Sequence, residues 1–275
     1  MTDFRTEKDS MGELQVPADA LYGAQTQRAI NNFPISGLTM PREFIKSLGL
    51  IKAAAAEANQ ALGHMDMAVC TAVKQAAQKV QSGDVDEHFP IDVFQTGSGT
   101  SSNMNCNEVI SHLASTDDLF IHPNDHVNMG QSSNDVIPTA IAVSSTLTVT
   151  QNLIPALNDF VAVCRNKANE LNDVVKTGRT HLMDAMPVTF GQELNTWAST
   201  IETNIARLQD TLERVSQLPQ GGTAVGTGIN ADARFGELFA EKLSAETGVQ
   251  FSSMTNKFEV ISAQDNIVEL SGQLR

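Results

Sequence analysis

Residues 189–216, TFGQELNTWASTIETNIARLQDTLERVS, decide the fold class. Thr189 with Gln192 three residues on is a capping-box pattern, and the run behind it is amphipathic with a helical period to about Ser216. The same period spreads outward. Pro41 opens a segment through Leu62 in which Phe44, Leu48, Ile51 and Ala55 recur at helical spacing and Gly63 acts as a stop. A second helix is expected from an Asp66 cap to Ser82, ending at Gly83. Thr139–Leu171 carries Leu147, Leu153, Leu157, Val161 and Cys164 on a roughly helical period, with Pro155 predicted to kink or interrupt it. Helical patterns recur at Arg234–Thr247 and Asn256–Arg275, after a glycine-rich connection, Gly221–Asn230. Strand signals are few, Gly12–Val16 being one, so the class is mainly α. Short, broken helices give way to long ones near Gly130, which predicts domains at 1–130 and 131–275, the second a helical bundle. No stop signal follows Leu270–Arg275, which predicts an N-terminal portion of a longer protein.

Composition narrows the function classes. With 18 Lys+Arg against 32 Asp+Glu the formal net charge is -14, and there is no local basic cluster. Such a chain repels nucleic acid and anionic membranes. The N-terminus has no apolar signal region, and no stretch of about 18 uninterrupted apolar residues is present. A cytoplasmic chain with neither nucleic-acid nor membrane partners is expected. Cys70, Cys106 and Cys164 have no C-x-x-C spacing, so they read as reduced thiols rather than a disulfide, zinc or iron–sulfur framework. Aromatic content of 5% argues against a stacking platform for bases.

Three polar patches hold the chemistry: Gln95–Asn107 (QTGSGTSSNMNCN), His122–Thr139 (HPNDHVNMGQSSNDVIPT) and Gly178–Glu193 (GRTHLMDAMPVTFGQE). Each borders a helical segment, and neutral donors at helix entrances suit a small anion. Gly97–Asn103 alone reads equally well as a capping loop. Its glycines permit close backbone approach, and Ser98, Thr100, Ser101, Ser102 and Asn103 supply more donors than one cap requires. Ser132, Ser133 and Asn134 repeat the pattern before a helix whose first turn Pro138 fits. Arg179, Thr180 and His181 are expected in a loop, with His181 as the candidate proton carrier, although a lone loop histidine is more often solvated. His64, His88 and His112 read as surface or capping residues. His122, Asp125 and His126 invite a metal reading that Pro123 and the lack of a third ligand oppose. GGTAVGTG lacks the lysine of a phosphate-binding loop.

Gly97-Ser98-Gly99-Thr100 with Asn103-Met104-Asn105, then Gln131-Ser132-Ser133-Asn134-Asp135, then Gly178-Arg179-Thr180-His181 resemble the successive signatures of class II fumarases, in the fumarase/aspartase superfamily. Asp9-Ser10-Met11-Gly12-Glu13, Val16-Pro17, Tyr22–Arg28 and GGTAVGTG also resemble that family, so the likeness covers the whole chain. Aspartases usually read QSTND and GRTQ, so Ser133 and His181 favour hydration over deamination. Argininosuccinate lyases and their crystallin relatives carry different first and second loops, and the cysteines do not match iron–sulfur fumarases.

The resemblance implies a small mixed N-terminal lyase domain followed by a long-helix bundle, incomplete at the C-terminus. It also implies reversible, cofactor-free and metal-free hydration of fumarate to (S)-malate, a step of the tricarboxylic acid cycle. Ser98, Gly99, Thr100, Asn134 and Thr180 would then hold the substrate carboxylates, with Ser132 and Ser133 shaping the pocket. His181 would activate or release water. His122, Pro123, Asn124 and Asp125 match the family's second, non-catalytic anion site. The family's GSSxMPGKxNP loop does not occur in the sequence, and with it are missing the catalytic serine, a substrate-binding lysine and asparagine, and a glutamate beyond that orients the histidine. Arg179 remains the only cation in the motifs, and the chain alone is expected to be inactive. Family members are homotetramers whose active sites combine loops from three subunits, so self-association is expected. An aspartate ammonia-lyase of the same fold and a non-catalytic structural or oligomerisation fragment stand as alternatives.

Overall fold

Alternating exposure opens the chain: β1 (Phe4–Asp9) and β2 (Gly12–Pro17) form an antiparallel hairpin, giving the N-terminal β element a partner. This computed structural model describes residues 3–9 and 11–275; Ser10 of the N-terminal motif lies outside them, with Met1 and Thr2. The helices α1 (Ala24–Asn32), α2 (Arg42–Ala61), α3 (Met67–Ser82) and α4 (Thr100–Ala114) follow. After a π-helical turn at Pro123–Val127 come α5 (Ser133–Thr148), a second π turn at Val149–Leu153, and α6 (Ile154–Glu170). A second hairpin, β3 (Val175–Thr180) and β4 (Met183–Thr189), leads into α7 (Phe190–Val215). The chain continues through β5 (Gln217–Leu218), α8 (Phe235–Thr247), β6 (Ser252–Ser253, parallel to β5), α9 (Lys257–Ser262) and α10 (Asp265–Leu274). The protein is mainly α.

Packing divides it into two units, one running to Ser144 and resuming over Ser216–Asp265, the other comprising Ser145–Val215 and Asn266–Arg275. A single change near Gly130 does not describe this division. The first unit is discontinuous because the Asp135 carboxylate accepts the N–H groups of Gly221 and Thr223, and because α8 packs on α2. Its core forms around α2, where Leu48, Ile51 and Ala53–Ala56 are buried; α3 adds Val73, Ala77 and Val80, and α8 adds Phe235, Phe239 and Leu243. Each large apolar side chain so buried stabilises the fold by about 1.5–3 kcal/mol. Small residues set the spacing, since a Cβ on Gly49 would lie 2.9 Å from the Ala77 carbonyl oxygen.

The second unit packs α6 on α7 through Val161, Cys164, Ala198 and Ile205, flanked by Ile154, Leu157 and Ile201. Arg165 ties the helices further, donating to Asn195 Oδ1 at 2.7 Å, Ser199 Oγ at 3.0 Å and Glu202 Oε2 at 2.6 Å. The capping box at the start of α7 is formed: Thr189 N donates to Gln192 Oε1 at 3.0 Å and Gln192 N to Thr189 Oγ1 at 3.1 Å.

Several expectations need correcting. Helix α5 starts at Ser133, so Pro138 lies inside the helix rather than in its first turn, where its missing N–H leaves the Asn134 carbonyl without the usual helical donor. The interruption expected at Pro155 falls one turn earlier, at the π turn, and Pro155 sits in the opening turn of α6, where it is tolerated. Asp66 precedes α3 without a side-chain capping bond. The expected helix over 256–275 is two helices, because Ala263 adopts extended backbone (φ -145, ψ 156) between α9 and α10. Residues 178–181 are the end of a hairpin rather than a loop.

All three cysteines are buried. One helical run among the described residues, Ser133–Glu170, is long and apolar enough to cross a membrane by length and composition alone, with mean hydropathy 1.2 over its most apolar window and 33% of that window buried. Hydroxyl and amide residues interrupt its apolar sequence. A bundle helix shares this profile.

Candidate active site

The first loop is shaped by one glycine. Gly99 precedes α4 in the left-handed region (φ +66), and a Cβ there would lie 2.8 Å from Ile137 Cγ1, so glycine is required for both reasons. On either side, Ser98 Oγ and Thr100 Oγ1 are 2.9 Å apart. Gln95 braces the turn, accepting from Ser102 N at 3.0 Å and donating to Ser102 Oγ at 2.9 Å and to Asp92 O at 3.0 Å. The Asp92 carboxylate in turn accepts the N–H groups of Ser36 at 2.6 Å and Gly37 at 2.7 Å. Burial pushes its carboxyl up, but the N–H groups of Phe94, Ser36 and Gly37 outweigh this and hold it at about 2.

The second loop turns on Asp135, which is fully buried. Its Oδ1 accepts from Ser132 N at 2.9 Å, and its Oδ2 from Gly221 N at 3.1 Å and Thr223 N at 2.8 Å. Burial raises this carboxyl to about 6, against the pull of those N–H groups and of Lys52. Asn134 N donates to Ser132 Oγ at 3.3 Å, and Asn134 Nδ2 to Ala224 O at 2.6 Å. The glycine-rich segment after residue 220 is thus fastened to the second loop.

Both loops rest on a buried cation. Lys52, with no exposed surface, donates to Asn103 Oδ1 at 2.8 Å, Asn128 Oδ1 at 2.9 Å and Gln131 Oε1 at 3.0 Å. Burial lowers it to about 8. A cleft of about 460 Å³ is lined by Gly97, Ser98, Asn134, Ile137, Ile141 and the 261–264 segment. No charged side chain lines it, so an anion there would meet neutral donors. The structure brings Ser98 and Asn134 to this cleft, with Thr100 in contact with Ser98, while Ser132 and Ser133 lie in the adjoining turn. Gln264 also lines it; its Nε2 donates to Val260 O at 3.1 Å, and its buried Oε1 has no partner among the described residues.

Thr180 and His181 belong to the other unit, at the tip of the β3–β4 hairpin. His181 (φ 49) and Leu182 (φ 61) form a two-residue turn with both residues left-handed, where Asn-Gly is the favoured pair. His181 is exposed and its ring has no partner among the described residues. Arg179 is not a free cation, since its guanidinium pairs with Asp184 at 2.8 Å across the hairpin.

The segment matched to a second anion site is internally engaged. His122 Nδ1 accepts from Asn124 N at 3.3 Å and Asp125 N at 3.1 Å, capping the π turn in which Pro123 occupies the first positions. An Nδ1 that accepts these bonds cannot also donate to the Asp125 carboxylate 3.2 Å away; that contact becomes an ion pair only on protonation.

Lys52, Asn128 and Gln264 were not singled out from the sequence. For Lys52 a signal existed: it follows Leu48 by four residues, on the apolar face of α2. Glu108 is another such residue, with its carboxylate receiving Gly23 N, Gln25 N, Thr26 N and Thr26 Oγ1 and so anchoring the N-terminal motif to α4.

A family model described as lyase matches residues 12–275. Over 271 residues the chain is 58% identical to a class II fumarate hydratase of Xylella fastidiosa, covering 98% of this chain and 57% of that relative. A second relative, the class II 2 fumarate hydratase of Pseudomonas aeruginosa, is 52% identical over 276 residues, covering 100% of this chain and 60% of its own length. Among solved structures, a recombinant class II fumarase from Schistosoma mansoni superposes with TM-score 0.95 at 37% identity, over 98% of this chain and 62% of that one. A fumarate lyase:delta crystallin from Brucella melitensis, solved bound to cobalt, gives TM-score 0.91 at 39% identity, over 99% and 61% of the two chains. The chain therefore spans 57% to 60% of the length of these curated relatives. With the polar loops and the hairpin falling within one continuous match from residue 12 onward, the chain belongs to the lyase family.

Proposed function

We propose that this chain carries the carboxylate-binding loops and the histidine of a fumarate hydratase, for reversible hydration of fumarate to (S)-malate. The observation that carries the reading is the uncharged, hydroxyl- and amide-bearing cleft at Ser98 and Asn134, in a chain similar over nearly its whole length to class II fumarate hydratases. Adding hydroxide across the double bond drives charge into the neighbouring carboxylate, and an aci-carboxylate forms readily only where donors already point at its oxygens. Ser98, Thr100 and Asn134 are such donors, in a turn fixed by Gly99 and Asp135. His181 is the group to take a proton from water or return it, with Thr180 beside it on the substrate.

Thr180 and His181 act, in this reading, in the pocket of another copy within a homotetramer. Phe160 (46% exposed), Val163 (66%) and Trp197 (51%) on α6 and α7 support such self-association. The cytoplasm, without nucleic-acid or membrane partners, is the proposed setting, as the charge of -14 favours. His122, Pro123, Asn124 and Asp125 are proposed as a second anion site.

The test follows fumarate absorbance after adding (S)-malate to this chain, alone and supplied with the C-terminal remainder of a class II fumarate hydratase relative. Turnover is expected in the supplied sample, with the unsupplied chain silent. Thr100→Val should raise the barrier by about 2.7–4 kcal/mol, the usual effect of removing one oxyanion donor. Near-normal turnover in that variant sinks the role of Thr100, and ammonia release from aspartate without malate turnover would favour the ammonia-lyase alternative.

A further inference from the structure

Lys52 touches no carboxylate among the described residues; its three hydrogen bonds all go to neutral amide oxygens. An ammonium has donors and no acceptor, so it dictates which end of each amide must face it. With Oδ1 turned to Lys52, Asn103 directs its NH2 group the other way, donating to Ser133 Oγ at 2.9 Å and to Asn128 Oδ1 at 3.3 Å. A hydroxyl oxygen that accepts from Asn103 keeps its own hydrogen for another partner. Ser133 is half-buried and donates to no other group among the described residues.

We infer that Lys52 is a positioning residue that sets hydrogen-bond polarity through Asn103, so that the Ser133 hydroxyl is held as a donor to a bound carboxylate. Because the ligand comes from the fumarate reading above, the donor role of Ser133 rests on that reading. A purely structural role explains the arrangement poorly, since an apolar side chain of similar volume would fill the position without the desolvation cost of a buried charge. The titratable groups acting on Lys52 are Cys106 on α4, whose buried thiol is pushed up to about 12 and stays neutral, and Asp135 on α5. Near neutral pH the ammonium persists; above about pH 8 it becomes an amine whose lone pair no longer enforces the orientation of three oxygens.

The experiment uses this chain supplied with the C-terminal remainder of a class II fumarate hydratase relative, with fumarate as the probe, titrated by NMR on the amides of residues 98–100 and 132–134, alongside the Lys52 ε-nitrogen resonance. Asn103→Asp keeps the size and the contact to Lys52, but its carboxylate only accepts, so Ser133 must turn its hydrogen inward. The Lys52 titration midpoint should rise, and fumarate affinity should fall about tenfold or more, the usual effect of losing a hydrogen bond to a charged group. Ser133→Ala should weaken binding similarly, and the double variant should be no weaker than either single by more than about twofold. In the parent chain, affinity should weaken as pH rises through about 8. Losses that multiply in the double variant mean that Asn103→Asp acts through its charge alone and overturn the relay. An unmoved Lys52 midpoint overturns it without reference to any ligand. If Asn103→Asp does not fold, a flat affinity of the parent across pH 8 overturns it instead. A supplied parent chain that binds no fumarate overturns the fumarate reading itself and the donor role with it, an outcome distinct from binding with multiplying losses.

Discussion

The loops around the cleft and the hairpin at His181 are built from similar residue types and held in opposite ways. In the first unit the loops around the cleft are held by specific partners: Gly99 against Ile137, Gln95 against Ser102, Asp135 against three backbone N–H groups, and Lys52 against three amides. In the second unit the hairpin tip has two non-glycine residues in the left-handed region, Leu182 95% exposed, and one solvent-facing ion pair. Donors that must stabilise developing charge gain from being fixed before the ligand arrives. A proton carrier that completes the site from elsewhere needs a position that packing can still adjust, and strain of this kind persists where function uses it.

Substitutions should therefore cost stability in the first region and little or nothing in the second. The largest effect is expected from Asp135→Ala, which strands the N–H groups of Ser132, Gly221 and Thr223 in a buried site. At about 1–3 kcal/mol for each unsatisfied group, the loss should reach at least about 3 kcal/mol in a urea denaturation series. A loss below about 1 kcal/mol would show that the turn stands without this carboxylate.

A pH series sharpens the same contrast. The folded-state Asp135 carboxyl is raised from 3.8 to about 6, so the folded chain binds the proton more tightly than the unfolded chain does. That contribution to stability is full below pH 3.8 and is lost as pH rises through about 6, and Asp135→Asn should abolish this component of the slope. An identical slope in the variant would place the titration elsewhere.

Smallest and opposite in sign is Leu182→Gly at the hairpin tip. Relief of the left-handed backbone should raise stability by up to about 1 kcal/mol, seen as a higher melting temperature. Arg179→Ala beside it should change stability by less than about 0.5 kcal/mol, because both partners of its ion pair are exposed. Destabilisation by Leu182→Gly would mean that the tip is braced after all, and the contrast would fail.

What the sequence made legible was local. Helices α2, α3, α7 and α8 follow from apolar period and stop signals, and the Thr189–Gln192 box from residue types three apart. The hairpin was hidden because its turn is His181-Leu182, without the glycine or asparagine that announces such turns. The break at Ala263 carries no glycine or proline signal. The polar loops were legible only as clusters of donors at helix entrances; which of their groups reach one cleft depends on Asp135, Asn134 and segments some 90 residues further on. Lys52 was passed over because a lysine inside a helix reads as a surface residue, and only a polar base assembled from Asn103 on α4 and from Asn128 and Gln131 in the loop before α5 makes its burial tolerable.

The bond from Gly221 to Asp135 spans 86 residues of chain, and the whole second helix pair is threaded between its ends. During synthesis the first 144 residues therefore leave the ribosome with a carboxylate and a lysine destined for burial but still wet. Helix pairs that are neighbours in sequence, α2 with α3 and later α6 with α7, have their partners at hand early, because nearby contacts close at lower entropic cost than distant ones. Closure of the first unit must wait for the 221–223 segment, so the Asp135 carboxylate, made early, stays hydrated until a partner 86 residues further along the chain arrives.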